Sequence, residues 1–390
     1  MVIESSNDKH DGPIRYGMVG GGQGAFIGGV HRMAARLDGQ FLLVAGALSS
    51  DPQRAAASGR ELGLDPERCY ASFSDMAKAE AARPDGIEAV SIVTPNHVHY
   101  PAARAFLDAG IHVICDKPLT SRLEDAKKLA QAAKSSGKLF VLTHNYTGYP
   151  MVRQAREMVA NGLLGDIRVV HAEYPQDWMT EAVETWRTDP AQSGAGGATG
   201  DIGTHAYNLA RFVTGLGLDS LSADLSAFGD GRVLDDNAHV MLRFKPAGKA
   251  QAARGMLWAS QVAPGNENAL KLRVYGTAGG LEWEQENPNY LWYTPFGQEK
   301  RLITRGGAGA GAAAARMTRI PSGHPEGYLE GFSNIYAEAA RAIRASRKKG
   351  AEIPKDVVFP TVDDGVEGVA FVEACVDSSK KNGAWTSLDI

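Results

Sequence analysis

At 390 residues the chain exceeds what one hydrophobic core usually serves, so two domains are expected. With 22% charged residues, a net charge of −4 and no apolar run of membrane-spanning length, nothing marks a nucleic-acid, membrane-surface or transmembrane protein. The three cysteines, Cys69, Cys115 and Cys375, are odd in number and lack metal-ligand spacing, which fits reduced core thiols better than a disulfide framework.

Residues 1–13 are polar and mixed in charge, without the basic start and apolar centre of a secretory signal, and read as a disordered leader to a cytoplasmic protein. Ile14 to Val19 is a short apolar strand that meets Gly20-Gly-Gly-Gln-Gly-Ala-Phe-Ile-Gly28, and a helical stretch, Val30 to Arg36, follows. Strand, glycine turn and helix in that order make a dinucleotide site. Gly20, Gly22 and Ala25 fit G-x-G-x-x-G/A, in which the first glycine permits the turn, the second admits a pyrophosphate and the small third residue lets the helix pack closely. Gln23, Phe26 and Ile27 complete the cofactor-facing loop.

Strand Phe41 to Leu48, helix Pro52 to Leu62, a short helix near Ser74 and strand Ile87 to Val93 come next. The third strand ends in Thr94, Pro95, Asn96 and His99; helix Pro101 to Ala109 stops at Gly110. Strand Ile111 to Cys115 then delivers Asp116-Lys117-Pro118, where the proline restricts Lys117 to extended geometry and so presents its cation at a defined angle. Ser121 and Glu124 open a helix at capping-box spacing, and strand Leu139 to Thr143 completes a unit spanning 14–145. Alternating strands and helices give a right-handed parallel sheet. Its polar strand ends share one edge, so Thr94, Asn96, His99 and Lys117 flank one crevice, where ligands of open parallel sheets bind.

The end of the second strand decides the nucleotide. Where an acidic residue would bind the ribose 2′-OH, the chain reads Ser49-Ser50-Asp51-Pro52-Gln53-Arg54. Ser49, Ser50 and Arg54 suit a 2′-phosphate. Asp51 either reads the ribose or caps the helix opening at Pro52. The cofactor is therefore NAD or NADP, with a lean to NADP.

Beyond residue 145 the pattern changes to helix Met151 to Asn161 and long strands at Asp166 to Tyr174, Leu221 to Phe228, His239 to Phe244 and Leu270 to Tyr275. Successive strands with few helices indicate an α+β second domain, 146–390, with a large open, mainly antiparallel sheet. Its last helix, about 364–381, is expected to pack back on the first domain. Asp201 and His205, four residues apart in a glycine-rich stretch, share one face of a helix starting at Asp201 and suit an acid–base pair; an N-cap and an interface histidine are the plain alternative. Arg305 to Arg316, rich in Gly and Ala, reads as a mobile loop, and Tyr290 to Tyr293 as strand core. His324 precedes a long helix running to Ala345 and is a candidate to reach a substrate. The histidines form no metal-ligand set, so no metal is expected.

Asp116-Lys117-Pro118 and Gly200-Asp-Ile-Gly-Thr-His205, with Trp186-Arg187, Gly162-Leu-Leu-Gly165 and the closing Asp364-Gly365, Ser379 and Trp385, resemble the Gfo/Idh/MocA family of glucose–fructose oxidoreductases and inositol dehydrogenases. The resemblance spans nearly all of the chain after residue 14. It implies a Rossmann domain joined to an α/β domain whose open sheet mediates homodimers or homotetramers, and hydride transfer at a sugar, glycoside or polyol carbon. Lys117, Asp201 and His205 would be the catalytic group. Tyr146 and His324 would join them in holding substrate, while Asp116, Asn145, Trp186 and Arg187 would face the cofactor. The chain departs from the family pattern in two places: Asp116 stands where the family has glutamate, and the glycine loop is longer, its Gly-x-x-His ending falling at Gly28 to His31. Two other functions are compatible with these residues, a nucleotide-binding sensor without turnover and a glycoside-processing enzyme with no net redox change.

Overall fold

The computed structural model describes residues 12–181, 183, 185–247, 251–348 and 350–390, so most of the expected leader lies outside the described residues. Two compact units divide the chain: one takes residues up to Leu119 with 124–145 and 328–363, the other 120–123, 146–327 and 364–390. The division is discontinuous, in place of a single boundary at 145, and residues 364–390 belong with the second unit.

The first unit opens with β1 (Ile14–Gly20), α1 (Phe26–Leu37), β2 (Phe41–Ala47), α2 (Pro52–Glu61), α3 (Phe73–Ala82), β3 (Ala89–Val93), α4 (Asn96–Asp108), β4 (His112–Cys115), α5 (Leu123–Ser136) and β5 (Phe140–Leu142). Among the described residues its strands form a five-stranded parallel sheet in the order β2-β1-β3-β4-β5. That order reverses between β1 and β3. In doubly wound sheets ligands bind at this switch point, outside the strands' carboxyl ends, and there stand Gly20 and Thr94. Helix α4 starts at Asn96, five residues before the expected Pro101, because a proline inside a helix removes only one backbone bond when the rest of the segment packs well.

The second unit contains α6 (Pro150–Ala160), β6 (Ile167–Pro175), α7 (Pro190–Ser193), α8 (Thr204–Thr214), β7 (Leu218–Ser226), β8 (Asn237–Phe244), β9 (Arg254–Ser260), β10 (Lys271–Gly276), β11 (Gly279–Glu284), β12 (Tyr290–Pro295), β13 (Arg301–Thr304) and α9 (Ala312–Arg316). Its eight strands, among the described residues, form one sheet ordered β13-β12-β11-β10-β6-β9-β8-β7, antiparallel except at β6 and β9. Strand β12 alternates as a one-faced strand must: Leu291 is buried while Tyr290 and Trp292 are exposed, so the aromatic stretch is not core throughout as expected.

The glycine–alanine run is not simply a loop either. It carries α9 and is anchored by Arg305, which is 3% exposed and donates to Asn289 Oδ1 (2.8 Å), Ile320 O (2.7 Å) and Glu326 Oε1 (3.0 Å). Glu326 in turn accepts the N–H groups of Arg319 and Ile320. A buried ion pair from the first residue of the run to Glu326 orders what composition alone would leave loose.

Helix α10 (Tyr328–Ser346) returns to the first unit, and α11 (Val362–Lys380) follows. The buried face of α1, with Gly28, Val30, His31, Ala34 and Ala35, follows helical spacing and packs against α10. Phe332, Ile335, Tyr336, Ala339 and Ile343 of α10 share one core with Ile14, Tyr16 and Met18 of β1. Among the described residues no helix is long and apolar enough to cross a membrane.

Candidate functional site

The glycine turn after β1 owes its residues to separate constraints. Gly20 has φ +77° and a Cβ there would lie 2.8 Å from Val93 O. At Gly22 a Cβ would lie 2.7 Å from Leu48 O and from Ser58 Oγ. Gly22 N–H donates to Leu48 O, and Gln23 N–H donates to Ser58 Oγ, which itself donates to Arg54 O, so the loop is pinned on α2. Ala25 does not take the close-packing role assigned to it: it is the half-buried residue before α1. That role falls to Gly28, where a Cβ would lie 2.3 Å from Gly21 Cα. The loop's extra length moves the contact three residues on.

Gly24, with φ +79°, faces open space; no side chain caps α1, and its first turn contains no acidic residue, while Phe26 is exposed. The α1 N-terminus is thus left positive and open, as a pyrophosphate requires. Ile27 is half-buried and Gln23 reaches Glu61 (3.0 Å). At the end of β2, Asp51 caps α2 by accepting Arg54 N–H (2.8 Å) and donates its own N–H to Ser49 Oγ (3.1 Å); the Arg54 side chain and Ser50 are exposed and Ser49 is half-buried.

The ends of β3, β4 and β5 supply the second part. Asp116 N–H donates to Ile92 O and its Oδ1 accepts Thr143 Oγ1–H (2.9 Å). The fully buried His99 places its ring nitrogens 2.8 Å from Pro118 O and 2.9 Å from Thr94 O, tying β3 to the Lys117-Pro118 turn, whose peptide bond is cis. Asn96 is buried, and Thr94 and Pro95 half-buried, at the start of α4.

Two residues with no assigned role in the sequence reading adjoin this edge. His31 of α1 is fully buried; its Nδ1 is 2.7 Å from Tyr336 Oη, which is 2.7 Å from Ser91 Oγ, and its Nε2 is 3.8 Å from Asp116 Oδ1. That last distance is long for a hydrogen bond and is read as attraction between charge and dipole. Burial raises the Asp116 carboxyl, but His31, Lys117 and His99 outweigh it and hold it well below the usual carboxylate range. His144, buried and then opposed by the Lys117 charge, is pushed down to about 3. Burial also lowers His99, against the attraction of Asp116 and the two carbonyls.

Three buried polar atoms here lack a hydrogen-bond partner: His31 Nε2, Thr94 Oγ1 and Asn145 Nδ2. Leaving such a group unpaired costs about 1–3 kcal/mol. Thr94 and Asn145 stand at the ends of β3 and just past β5, and with the open glycine turn they fit a dinucleotide whose nicotinamide end would satisfy them.

In the second unit a π-helical turn, Thr199–Gly203, precedes α8, so the α-helix starts at Thr204 rather than at Asp201. Such turns often occur at functional sites. Asp235, whose burial raises its carboxyl, accepts Gly197 N–H (2.7 Å), Thr199 N–H (2.8 Å) and Thr199 Oγ1–H (2.7 Å) and fixes the entry to the turn. Asp201 is not an N-cap. Its Oδ2 accepts from Gln261 Nε2 (2.9 Å) and lies 3.5 Å from Arg187 Nε. Arg187 stacks over Trp186, and Arg187, Asp201, Arg232, Asp235 and Gln261 line a hollow of ≈ 290 Å³ that includes open solvent.

His205 is 7% exposed, with its ring edge-on to Tyr146 at 4.8 Å and near Tyr174 at 6.2 Å. The Tyr146 and Tyr174 hydroxyls hydrogen-bond each other, and Tyr174 donates to Asn268 Oδ1 (2.6 Å). Lys117 belongs to the first unit and Tyr146, Trp186, Arg187, Asp201 and His205 to the second. His324 is exposed, its Nδ1 3.4 Å from Ser322 O. Among the described residues no group of three or more His, Cys, Asp or Glu side chains is arranged to hold a metal ion.

Residues 14–144 match the model of the oxidoreductase family with an NAD-binding Rossmann fold, and residues 152–282 match the GFO/IDH/MocA C-terminal domain. The crystal structure of an oxidoreductase from Sinorhizobium meliloti is 64% identical, with TM-score 0.90 over 97% of this chain and 100% of that one. An inositol dehydrogenase homolog from Azotobacter vinelandii, solved with NADH and myo-inositol, is 38% identical with TM-score 0.91 over 96% of this chain and 98% of that one. Levoglucosan dehydrogenase of Pseudarthrobacter phenanthrenivorans is 29% identical over 96% of this chain and 98% of its own.

Proposed function

The chain belongs to the Gfo/Idh/MocA oxidoreductase family, whose members are NAD(P)-dependent dehydrogenases of sugars and polyols, and we propose that it moves a hydride between nicotinamide and a secondary alcohol or ketone of a cyclic polyol or pyranose. The observation that carries this reading is the cation of Lys117 at the carboxyl end of β4, beside a carboxylate held ionised and at the edge where the glycine turn opens. Bound nicotinamide accepts or returns the hydride. Lys117, Asp201 and His205 are proposed as the catalytic group.

Removing hydride from a carbinol carbon requires its hydroxyl proton to leave. His205, packed on Tyr146, is a base whose ring orientation is restricted, and Lys117 stabilises the developing alkoxide. Asp201, held by Gln261 and Arg187, binds a neighbouring hydroxyl. The inositol dehydrogenase homolog and levoglucosan dehydrogenase support a ring with adjacent hydroxyls as substrate. Absorbance at 340 nm with both nucleotides against myo-inositol, levoglucosan and a panel of pyranoses tests this. Turnover of ring hydroxyls is expected; nucleotide binding without turnover across the panel would favour a sensor.

The choice of nucleotide is proposed to lean to NADP, because Asp51 is engaged as the α2 cap while the side chain of Arg54 is exposed. A charge-assisted contact there is worth about 1.5–3 kcal/mol, or roughly tenfold to a hundredfold in affinity. Arg54→Ala is expected to weaken NADP binding by that factor and to spare NAD in calorimetric titrations. Tighter wild-type binding of NAD, unchanged by the substitution, would reverse the lean.

A homodimer or homotetramer through the second unit's sheet is proposed from its outward face. Met241 and Met256 stand opposite each other on β8 and β9, as do Trp292 and Leu302 on β12 and β13, and all four are exposed. Light scattering should give a multiple of 41.5 kDa, and Met256→Asp should reduce it; a wild-type monomer at micromolar concentration would dismiss the assembly.

A further inference from the structure

We propose that His31, backed by Tyr336, is a positioning residue for Asp116 and through it for Lys117; the inference rests on Lys117 being catalytic. Asp116 is one of the two places where this chain departs from the family pattern, its side chain one methylene shorter than the glutamate of that pattern. A shorter carboxylate reaches less far from the strand end and needs another partner to fix it. Thr143 Oγ1 supplies one hydrogen bond at 2.9 Å. The other polar atom aimed at it from the core is His31 Nε2, at 3.8 Å from the same oxygen.

The surroundings of His31 set its direction. Its ring is fully buried, edge-on to Phe332 at 4.7 Å and to the Tyr336 ring at 5.8 Å, so it is held from α10. Tyr336 Oη lies between Ser91 Oγ and His31 Nδ1, 2.7 Å from each. Ser91 donating to Tyr336, and Tyr336 donating to Nδ1, places the imidazole proton on Nε2, where it faces the carboxylate. The chain Ser91, Tyr336, His31, Asp116 then has one polarity from the sheet to the residue preceding Lys117. His31 Nε2 makes no hydrogen bond. In a well-packed core a nitrogen left unpaired and pointed at a charge calls for a role beyond packing, and orienting that charge supplies it.

The titratable groups facing Asp116 from the elements around it are His31 of α1, His99 of α4, His144 just past β5, Tyr336 of α10, and Cys115 and Lys117 beside it in the chain. His99 is held by two backbone carbonyls. The tautomer of His31 is set by another side chain, Tyr336, and removing its hydroxyl tests the device with one oxygen atom.

Tyr336→Phe is expected to lower kcat roughly tenfold, the scale of misplacing one catalytic group, with KM for substrate and nucleotide affinity within about twofold, and to move the pH–rate profile. His31→Gln, which keeps an N–H donor, should retain more kcat than His31→Leu. Imidazole ¹⁵N spectra of the wild-type protein supply a readout independent of turnover and of whether a variant folds. They should show the Nε2–H tautomer at His31, and the Nδ1–H tautomer would overturn the proposal. So would an unchanged kcat and pH profile in folded Tyr336→Phe. Should Lys117→Ala keep normal turnover, the catalytic reading itself falls; loss of turnover in Lys117→Ala beside an unaffected Tyr336→Phe leaves that reading standing and removes only the relay.

Discussion

Lys117→Ala is expected to lower kcat by roughly 10²-fold or more, the scale of losing a positioned proton-transfer or oxyanion-stabilising group, while the dissociation constants of NAD and NADP stay within a few-fold. The separation of the two effects follows from where the lysine stands. The pyrophosphate cradle is proposed at Gly20, Gly22 and the α1 N-terminus, none of which belongs to β4. Asp116 retains its hydrogen bond from Thr143 Oγ1 when the lysine is truncated. His205→Ala should cost turnover on a similar scale and, unlike the lysine variant, flatten the pH–rate profile. Steady-state kinetics beside calorimetric nucleotide titrations check both; near-normal kcat in folded Lys117→Ala would take the lysine out of the chemistry.

Acidification from pH 7 to pH 5 is expected to cost about 4 kcal/mol of folding stability through two buried histidines alone. Burial, Lys138 and Arg347 push His112 down to about 4, and burial with Lys117 pushes His144 down to about 3. An unfolded histidine titrates near 6.5. At pH 5 the unfolded chain therefore holds two protons that the folded chain refuses, and stability rises with pH wherever the unfolded state binds more protons. Each histidine contributes about 2 kcal/mol there, from a difference of ~1.5 in pH at ~1.36 kcal/mol each. The stability is present above pH ~6.5 and is lost as the pH falls from there toward the folded values of about 3 to 4. Asp116, with its folded carboxyl lowered, acts below that window: its stabilisation disappears only as the pH falls through the ordinary carboxylate range. Urea midpoints between pH 7 and 5 measure the effect, and His112→Gln, which cannot titrate, should remove about half of it. A midpoint flat across that range would show that these rings accept protons without unfolding.

Much of this was legible in the sequence because the signals were local. The glycine run after an apolar strand gave the turn, and strand-end polar residues gave the edge, since in a parallel sheet each strand's carboxyl end must appear there. Asp51 before Pro52 was readable as a cap from its type and place, and the structure has that cap. What escaped the reading depends on contacts distant in sequence. Gly28 takes over the packing role of Ala25 because the loop is longer, and that is settled by where Gly21 comes to rest. Tyr336 touches His31 from 305 residues away, and no spacing rule links them. Gln261 orients Asp201 from a strand end 60 residues on. The order in the glycine–alanine run comes from Arg305 and Glu326 at its margins, so a composition reading of the run itself missed it.

The return of α10 to the first unit has a bearing on how the protein is made. Phe332, Ile335, Tyr336, Ala339 and Ile343 fill the core formed with β1 and α1, yet the ribosome delivers them only after residues 146–327. At ~5–20 residues per second, that interval lasts on the order of 10–40 s. Through all of it, the nascent nucleotide-binding unit presents an apolar groove where α10 will lie. A chain stopped at residue 145 retains that groove permanently, so the N-terminal segment expressed alone should aggregate or be held by chaperones, and a separately supplied peptide of the α10 sequence should rescue its solubility.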